Sequence, residues 1–291
     1  MRILITGSNG QLGSEIRELA TSYKKFDFVF EDLPGLDICN FNSIKSFILE
    51  NNISAVINCA AYTNVDKAEQ DAEIAEDVNY KGVSNLVNAL QSINGKLIHI
   101  STDYVFNGDN FMPYKESDSV SPIGIYGQTK RAGELAVIDA DLDSIVIRTS
   151  WLYSSYGNNF VKKMLSLAEK KEYLEVIFDQ VGTPTYARDL AKTCLDILNV
   201  DSLVKISKNG NLYHYSNEGV ASWYDFAVSI IELGEENCKI KPIQTKDYHS
   251  LAKRPHYSVL NKSKIKTDFK IEIPYWKDSL RDCIGKIKSS L

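Results

Sequence analysis

The sequence predicts an α/β protein with a doubly wound parallel sheet and a smaller C-terminal lobe. Apolar strand-like runs alternate with helix-period segments over residues 1–150, a glycine-rich turn joins the first strand to the first helix, and the rhythm changes after about residue 150. Strand–helix–strand repeats imply parallel strands joined by right-handed crossovers, with helices on both faces of the sheet. We expect residues 1–150 to form the larger domain, and residues 151–291 mainly the smaller lobe, with some segments returning to the first sheet.

The individual elements follow from the spacing of apolar residues. Near-continuous apolar runs such as Ala55-Val56-Ile57 are typical of strands covered on both faces. In the first two-thirds of the chain, the predicted strands are Arg2–Thr6, Phe26–Phe30, Ser54–Ala61, Lys96–Thr102 and Ser144–Thr149, and the predicted helices are Gln11–Ser22, Phe41–Asn51, Asn79–Ser92, Tyr126–Ala140 and Phe160–Glu169. Later, the pattern predicts strands Leu174–Phe178 and Leu212–Ser216 and helices Arg188–Asn199, Trp223–Leu233 and Trp276–Lys288.

Composition and charge narrow the class of protein. A net charge of −5 disfavours a nucleic-acid binder, which would present a basic face. No apolar stretch approaches the roughly 20 residues that span a bilayer, and no signal-peptide pattern follows Met1. The five cysteines are scattered without a C-x-x-C pair, and the histidines show no metal-ligand spacing. We expect a cytoplasmic protein, monomeric or homodimeric, with reduced thiols, no metal site, and no nucleic-acid or membrane partner.

A glycine-rich turn follows the first predicted strand. Gly7, Gly10 and Gly13 have the spacing G-x-x-G-x-x-G, and a helix comes next. Glycines let the backbone approach a pyrophosphate closely, and the helix N-terminus offers unpaired N–H groups to its oxygens. A plain turn is the alternative, but the position between a strand and a helix predicts a dinucleotide site.

Two acids end the second predicted strand. In folds of this kind, a carboxylate at this place accepts hydrogen bonds from the adenosine ribose and repels a 2′-phosphate. Glu31 and Asp32 are the candidates, so we expect NADH to be somewhat favoured over NADPH as cofactor. The alternative is a solvated acidic turn.

A candidate acid–base group lies further along the chain. Tyr126 and Lys130 are four residues apart, which places both side chains on one helix face. A free phenol has a pKa near 10, and a nearby ammonium lowers it, so the pair is a tunable acid and base. Thr102 ends the fourth predicted strand, where ligands bind in doubly wound sheets, and its hydroxyl can hydrogen-bond a substrate carbonyl.

The glycine turn, Thr102 and the Tyr126/Lys130 pair together resemble the short-chain dehydrogenase/reductase superfamily. Longer strings resemble the dTDP-4-dehydrorhamnose reductase family, and they include residues 59–69 (CAAYTNVDKAE) and 101–108 (STDYVFNG). The resemblance implies a Rossmann domain with a small substrate lobe. It also implies NAD(P)H-dependent reduction of the C4 keto group of dTDP-4-dehydro-L-rhamnose to dTDP-L-rhamnose, with Tyr126 donating a proton, Thr102 hydrogen-bonding the alkoxide and Lys130 lowering the pKa of the tyrosine.

The resemblance further implies roles for individual residues. The cofactor residues it implies are Gly7, Gly10, Gln11, Leu12, Gly13, Asp37, Ile38, Ala60, Ala61, Thr63, Tyr126 and Lys130. The implied substrate residues are Thr63, Val65, Thr102, Tyr104, Trp151 and Arg254. Core packing is the alternative for the two aromatic residues Tyr104 and Trp151, and a surface position is the alternative for Arg254. Some relatives bind magnesium through an acid at the position of Glu15, but we expect an exposed glutamate there and find no support for magnesium.

Two other functions remain open from the sequence. A sugar-nucleotide dehydratase or epimerase shares the scaffold, although dehydratases typically carry Thr-Asp-Glu where this chain has Thr102-Asp103-Tyr104. The second is a non-catalytic, NAD(P)-binding regulatory subunit, since one relative of the rhamnose reductases serves methionine adenosyltransferase in that way. The intact Tyr126/Lys130 pair favours catalysis.

Overall fold

The computed structural model describes residues 1–199 and 211–289, and it confirms the doubly wound parallel sheet. Six parallel strands lie in the order β2-β1-β3-β4-β5-β10. The strands of the described ranges are β1 (Arg2–Thr6), β2 (Asp27–Phe30), β3 (Ala55–Asn58), β4 (Lys96–Thr102), β5 (Asp143–Thr149), β6 (Leu152–Tyr153), β7 (Tyr173–Ile177), β8 (Val181–Gly182), β9 (Thr185–Tyr186), β10 (Leu212–His214), β11 (Ala221–Ser222) and β12 (Lys239–Ile243).

Helices cover both faces of this sheet. The helices of the described ranges, including those of the smaller lobe, are α1 (Gln11–Leu19), α2 (Phe41–Glu50), α3 (Val65–Ala68), α4 (Ala72–Glu76), α5 (Gly82–Gln91), α6 (Ile125–Ile138), α7 (Phe160–Ala168), α8 (Ala187–Asn199), α9 (Trp223–Gly234), α10 (Ser263–Phe269) and α11 (Trp276–Ser289). Side chains alternate along β1, so that Ile3 and Ile5 pack with α1 and α8 while Leu4 packs with α2 and α5. Burial on both faces explains why these strands are apolar throughout. No helix within the described ranges is long and apolar enough to cross a membrane.

The part of the chain after residue 150 contributes to two cores. Tyr153, Phe226 and Trp276 centre a second core built from α7, α9 and α11. The chain also returns to the first sheet, because β10 pairs with β5 and α8 packs against α1. A two-stranded parallel pair, β7 with β12, belongs to the second lobe, and the sequence predicted only the first of these strands.

Several predicted boundaries were wrong for local reasons. The predicted strand Ser54–Ala61 ends at Asn58, whose Oδ1 accepts hydrogen bonds from the Thr6 hydroxyl (2.7 Å) and from the Ala60 amide (3.2 Å) and so turns the chain out of the sheet. The first predicted helix ends as an α-helix at Leu19, and a 3₁₀ turn continues it. The predicted helix Asn79–Ser92 begins earlier, through a π-helical turn over Asp77–Lys81.

Helix α6 begins one residue before the predicted start. The Glu69 carboxylate, far away in sequence, accepts the Ile125 backbone N–H at 2.9 Å and satisfies one of the free donors of the first turn. Such a cap depends on tertiary structure, and local sequence does not reveal it. The short helices α3, α4 and α10 were also not predicted. The two-residue strands were missed because their pairing partners lie elsewhere in the chain.

Candidate active site

A cleft of about 790 Å³ opens at the carboxyl ends of β1, β3, β4 and β5, between the sheet and the second lobe. The fold places it where the strand order changes direction, since β1 is followed by β2 on one side and by β3 on the other. Most residues predicted from the sequence line it: Gly7, Gly10, Gln11, Leu12, Asp37, Ile38, Ala60, Ala61, Thr63, Val65, Thr102, Tyr104, Tyr126, Lys130 and Trp151. Gly13, Glu31 and Arg254 do not belong to its wall.

The glycine turn forms one end of the cleft. Gly7 has a φ of +59°, and a Cβ on it would lie 2.6 Å from the Ala60 amide nitrogen, so only glycine fits between β1 and the loop after β3. Gly10 caps α1 without a side-chain hydrogen bond, which leaves the first N–H groups of the helix directed at the cleft. This arrangement suits a pyrophosphate.

Gly13 has a packing role in this turn. A Cβ on Gly13 would lie 2.5 Å from the Ser8 Cα, so the glycine lets α1 pack directly onto the turn. It therefore shapes the cofactor end of the cleft without lining it.

The structure distinguishes the two acids after β2. The Glu31 carboxylate turns toward Gly35, whereas Asp32 lines the cleft. Asp32 is fixed by two backbone amides, with Oδ2 accepting from Asn9 (2.9 Å) and Oδ1 from Leu33 (2.8 Å). Of the two candidate acids, Asp32 therefore belongs to the cleft wall and Glu31 does not, because the chain reverses immediately after the strand.

The three predicted catalytic residues meet at the centre of the cleft. Thr102 ends β4, and Tyr126 and Lys130 extend from the first turns of α6. The Thr102 hydroxyl donates to Asp103 Oδ1 at 3.0 Å, and the Lys130 ammonium donates to the Ile100 carbonyl at 2.6 Å. Thr102 and Lys130 are buried, so their polar groups act in a medium that water screens little.

The electrostatics of Tyr126 differ from the sequence-based expectation. Burial raises the pKa of Tyr126 to about 12, although a hydrogen bond with Thr102 opposes the shift. Burial also lowers the pKa of Lys130 to about 8. Burial is the largest influence on the pKa of Tyr126, and the Lys130 ammonium donates its hydrogen bond to the Ile100 carbonyl. Tyr126 is accordingly a protonated phenol at neutral pH, which is the form that a proton donor needs.

Asp103 lies in the cleft, although it was not among the site residues predicted from the sequence. It is buried against Thr102, and burial raises its pKa to about 6 despite hydrogen bonds with Ser258 and Thr102. The side chain lines the cleft beside Thr102. Its position directly after Thr102, at the end of a predicted strand, was the available signal.

The opposite end of the cleft is aromatic. The Trp151 indole stacks on Trp223 with ring centroids 3.6 Å apart, and it also forms part of the cleft wall. Both interpretations of Trp151, core packing and ligand contact, are thus compatible with its position. Tyr104 packs edge-on against the Tyr126 ring, with centroids 5.4 Å apart.

Arg254 lies next to this wall, not on it. Its Nη2 donates to Asp66 Oδ2 at 2.7 Å, and its charge acts on the Tyr104 phenol. The side chain is 22% exposed, so the alternative of a free surface arginine does not hold either. The predicted contact of Arg254 with a nucleotide stays a prediction, because the structure shows only that Arg254 lies outside the cleft wall.

The expectation of an exposed Glu15 was wrong. Glu15 is fully buried, and its carboxylate accepts a 2.6 Å hydrogen bond from the Ser154 hydroxyl. Arg188 contacts it at 3.3 Å and Lys286 at 3.9 Å, so two cations already face the carboxylate and the surroundings do not fit a metal ion. Within residues 1–199 and 211–289, no group of three or more His, Cys, Asp and Glu side chains could hold one.

The glycine turn and the Thr102, Tyr126 and Lys130 groups, at the carboxyl edge of a doubly wound sheet, define a short-chain dehydrogenase/reductase, a class of NAD(P)-dependent oxidoreductases. Residues 1–289 match the family described as the RmlD substrate binding domain. The chain belongs to the dTDP-4-dehydrorhamnose reductase family.

Individual relatives agree with this assignment over their full length. The chain is 39% identical over 287 residues to the dTDP-4-dehydrorhamnose reductase of Aggregatibacter actinomycetemcomitans, covering 97% of each. The structure of a dTDP-4-dehydrorhamnose reductase from Clostridium acetobutylicum matches with a TM-score of 0.93 at 40% identity, over 99% of this chain and 100% of that one. The Bacillus anthracis reductase, solved in complex with NADP, matches with a TM-score of 0.91 at 35% identity, over 98% and 99%.

Proposed function

We propose that this protein reduces the C4 keto group of dTDP-4-dehydro-L-rhamnose to give dTDP-L-rhamnose, with NADH or NADPH as the hydride donor. The observation that carries the proposal is one continuous cleft, with a pyrophosphate-binding turn at one end and Thr102, Tyr126 and Lys130 at its centre. Relatives named for this reaction, such as the one from Escherichia coli (36% identical over 99% of this chain), support it.

The cofactor is proposed to bind along the sheet edge from the glycine turn to α6. The pyrophosphate would meet the α1 N-terminus and Gln11, and the adenine would lie among apolar side chains beside Asp37. The proposed cofactor residues are Gly7, Gly10, Gln11, Leu12, Asp32, Asp37, Ile38, Ala60, Ala61 and Thr63, with Tyr126 and Lys130 at the nicotinamide ribose. NAD(P)H, when bound, supplies the hydride.

The protein supplies the proton and the hydrogen bonds. Reduction places negative charge on the C4 oxygen, and the protonated Tyr126 hydroxyl donates its proton to that oxygen. Thr102 hydrogen-bonds the same oxygen, while Lys130 holds its ammonium one helix turn from the tyrosine. The sugar is proposed to contact Tyr104 and Trp151, and Thr63 and Val65 would line the nucleotide side.

A direct assay tests this function. Purified protein with dTDP-4-dehydro-L-rhamnose is expected to oxidise NADH or NADPH and to form dTDP-L-rhamnose, mole for mole. Conversion of the sugar nucleotide to an isomeric or dehydrated product, without net oxidation of the cofactor, would instead indicate the epimerase or dehydratase alternative. Cofactor binding without turnover of any 4-keto sugar nucleotide would indicate a regulatory subunit.

We also propose that the protein acts in the cytoplasm, on a small-molecule nucleotide sugar, as a monomer or a homodimer. Free thiols at all five cysteines support a reducing compartment.

Cofactor preference gives a second test, at Asp32. The Asp32→Asn variant keeps the size and one acceptor of the side chain but removes the charge that opposes a 2′-phosphate, so the ratio of kcat/KM for NADPH over NADH should rise about tenfold. The wild-type enzyme should have the lower KM for NADH. Asp27→Asn is the matched control, because Asp27 lies at the start of the strand that precedes Asp32 and its exposed carboxylate pairs with Arg2 away from the cleft. An unchanged ratio in Asp32→Asn would mean that this carboxylate does not face the ribose.

A further inference from the structure

The Asp66 carboxylate joins the two lobes beside the sugar end of the cleft. It lies in the one-turn helix α3, where it accepts the Ala252 N–H at 3.1 Å and Arg254 Nη2 at 2.7 Å, across 186 and 188 residues of sequence. Burial alone would raise the pKa of Asp66, but these donors outweigh it and hold the pKa below its usual value. The pair is therefore ionised at neutral pH and has a defined geometry.

The guanidinium of Arg254 connects this pair to the wall of the cleft. Its Nη1 atom is buried and has no regular hydrogen-bond acceptor in the part of the chain that the structure describes. Arg254 is also a charged and hydrogen-bonding neighbour of the Tyr104 phenol, so the guanidinium lies next to that hydroxyl. Arg254 thus has Asp66 on one side and Tyr104 on the other.

Tyr104 in turn contacts the catalytic tyrosine. Its ring meets the Tyr126 ring edge-on with centroids 5.4 Å apart, and both rings line the cleft. Aromatic pairs of this kind have a preferred geometry, so a change in the position of the Tyr104 ring alters the packing of the Tyr126 ring. Proton transfer requires a hydroxyl within hydrogen-bond reach of the reacting oxygen, so a displacement of Tyr126 lowers the rate.

We propose that Asp66 and Arg254 are positioning residues that hold Tyr104 against Tyr126, and that neither contacts the diphosphate of the nucleotide sugar. The proposal rests on the reductase function proposed above. A positioning role and a direct contact with the nucleotide lead to different measurements. If the pair positions Tyr104, its loss slows reaction of the sugar and leaves the affinity for dTDP unchanged. If Arg254 bound the diphosphate, its loss would weaken the binding of dTDP itself.

The test combines kinetics with binding of dTDP, the nucleotide without its sugar. Asp66→Asn and Arg254→Gln should each lower kcat/KM for dTDP-4-dehydro-L-rhamnose about tenfold, the usual scale for a lost charge-assisted hydrogen bond. The Kd values for dTDP and for NADH should stay within about twofold, because the change lies outside both sites. Asp278→Asn is the matched control, since it breaks an exposed 2.8 Å pair with Arg281 far from the cleft.

A double-mutant cycle shows whether the pair acts through Tyr104. Tyr104→Phe removes the hydroxyl that the guanidinium faces, so Arg254→Gln should cause little further loss in that background. If the losses in kcat/KM from Tyr104→Phe and Arg254→Gln multiply, the proposal is overturned in favour of a direct contact with the nucleotide. A Kd for dTDP that rises in step with the kinetic loss would overturn it in the same way. Equal loss of NADH binding would also overturn it, as general damage to the fold. If the wild-type protein binds dTDP but does not reduce the sugar nucleotide, the proposed function fails first.

Discussion

Replacing Tyr126 by phenylalanine is expected to lower kcat for the sugar nucleotide by roughly 10²–10⁴-fold, the range for loss of a positioned general acid. The substitution removes one oxygen atom from a ring that packs against Tyr104, so the local packing is retained. The pKa of Tyr126, raised by burial to about 12, keeps the wild-type phenol protonated through the neutral range. The loss should therefore be similar at all pH values from mildly acidic to mildly alkaline.

Steady-state kinetics and cofactor titration on the same variant provide the measurement. The Kd for NADH and the thermal midpoint should change little, because the glycine turn and the core are untouched. Tyr23→Phe is the matched control: its hydroxyl donates to Asp196 at 2.6 Å on the outer side of α8, and its activity should match the wild type. Turnover by Tyr126→Phe close to the wild-type rate would show that another group supplies the proton, and Asp103 would be the first to examine.

The parts of the site that were predictable from the sequence are those whose geometry is local. The glycine turn needs only a strand, a tight turn and a helix, all contiguous in residues 1–19. Tyr126 and Lys130 share a helix face because of helical periodicity alone. Thr102 follows from the rule that ligands bind at the carboxyl ends of parallel strands. The six-stranded sheet was predictable for the same reason, because an apolar run in the sequence marks its strands.

The remaining features depend on contacts between distant segments. Asp32 replaces Glu31 as the acid in the cleft because the backbone amides of Asn9 and Leu33 fix the turn after β2. Glu15 is buried because Ser154 and Arg188 come from other elements to meet it. No local pattern around either residue indicates these partners. The pKa of Tyr126 was similarly unpredictable, since it depends on burial and not on its spacing from Lys130.

Replacing Trp151 by alanine is expected to lower kcat/KM for the sugar nucleotide by roughly 10- to 100-fold. A 6-deoxy sugar presents a methyl group and an apolar ring face, and covering them with an indole stabilises by about 1–3 kcal/mol. Trp151 has a φ of +47°, and alanine retains the Cβ, so the backbone constraint is the same in both proteins. The loss then reports the missing indole, and NADH affinity should hardly change because the proposed cofactor site is on the glycine-turn side.

The stack with Trp223 makes a second variant necessary. Trp223 packs on the other face of the Trp151 indole and does not line the cleft, so Trp223→Phe loosens the stack without removing the proposed sugar contact. That variant should lose much less kcat/KM than Trp151→Ala. Matching losses in the two variants, together with equal loss of NADH binding, would identify Trp151 as a core residue whose removal damages the fold. No loss of kcat/KM in Trp151→Ala would place the sugar away from this wall and leave Tyr104 as its remaining aromatic contact.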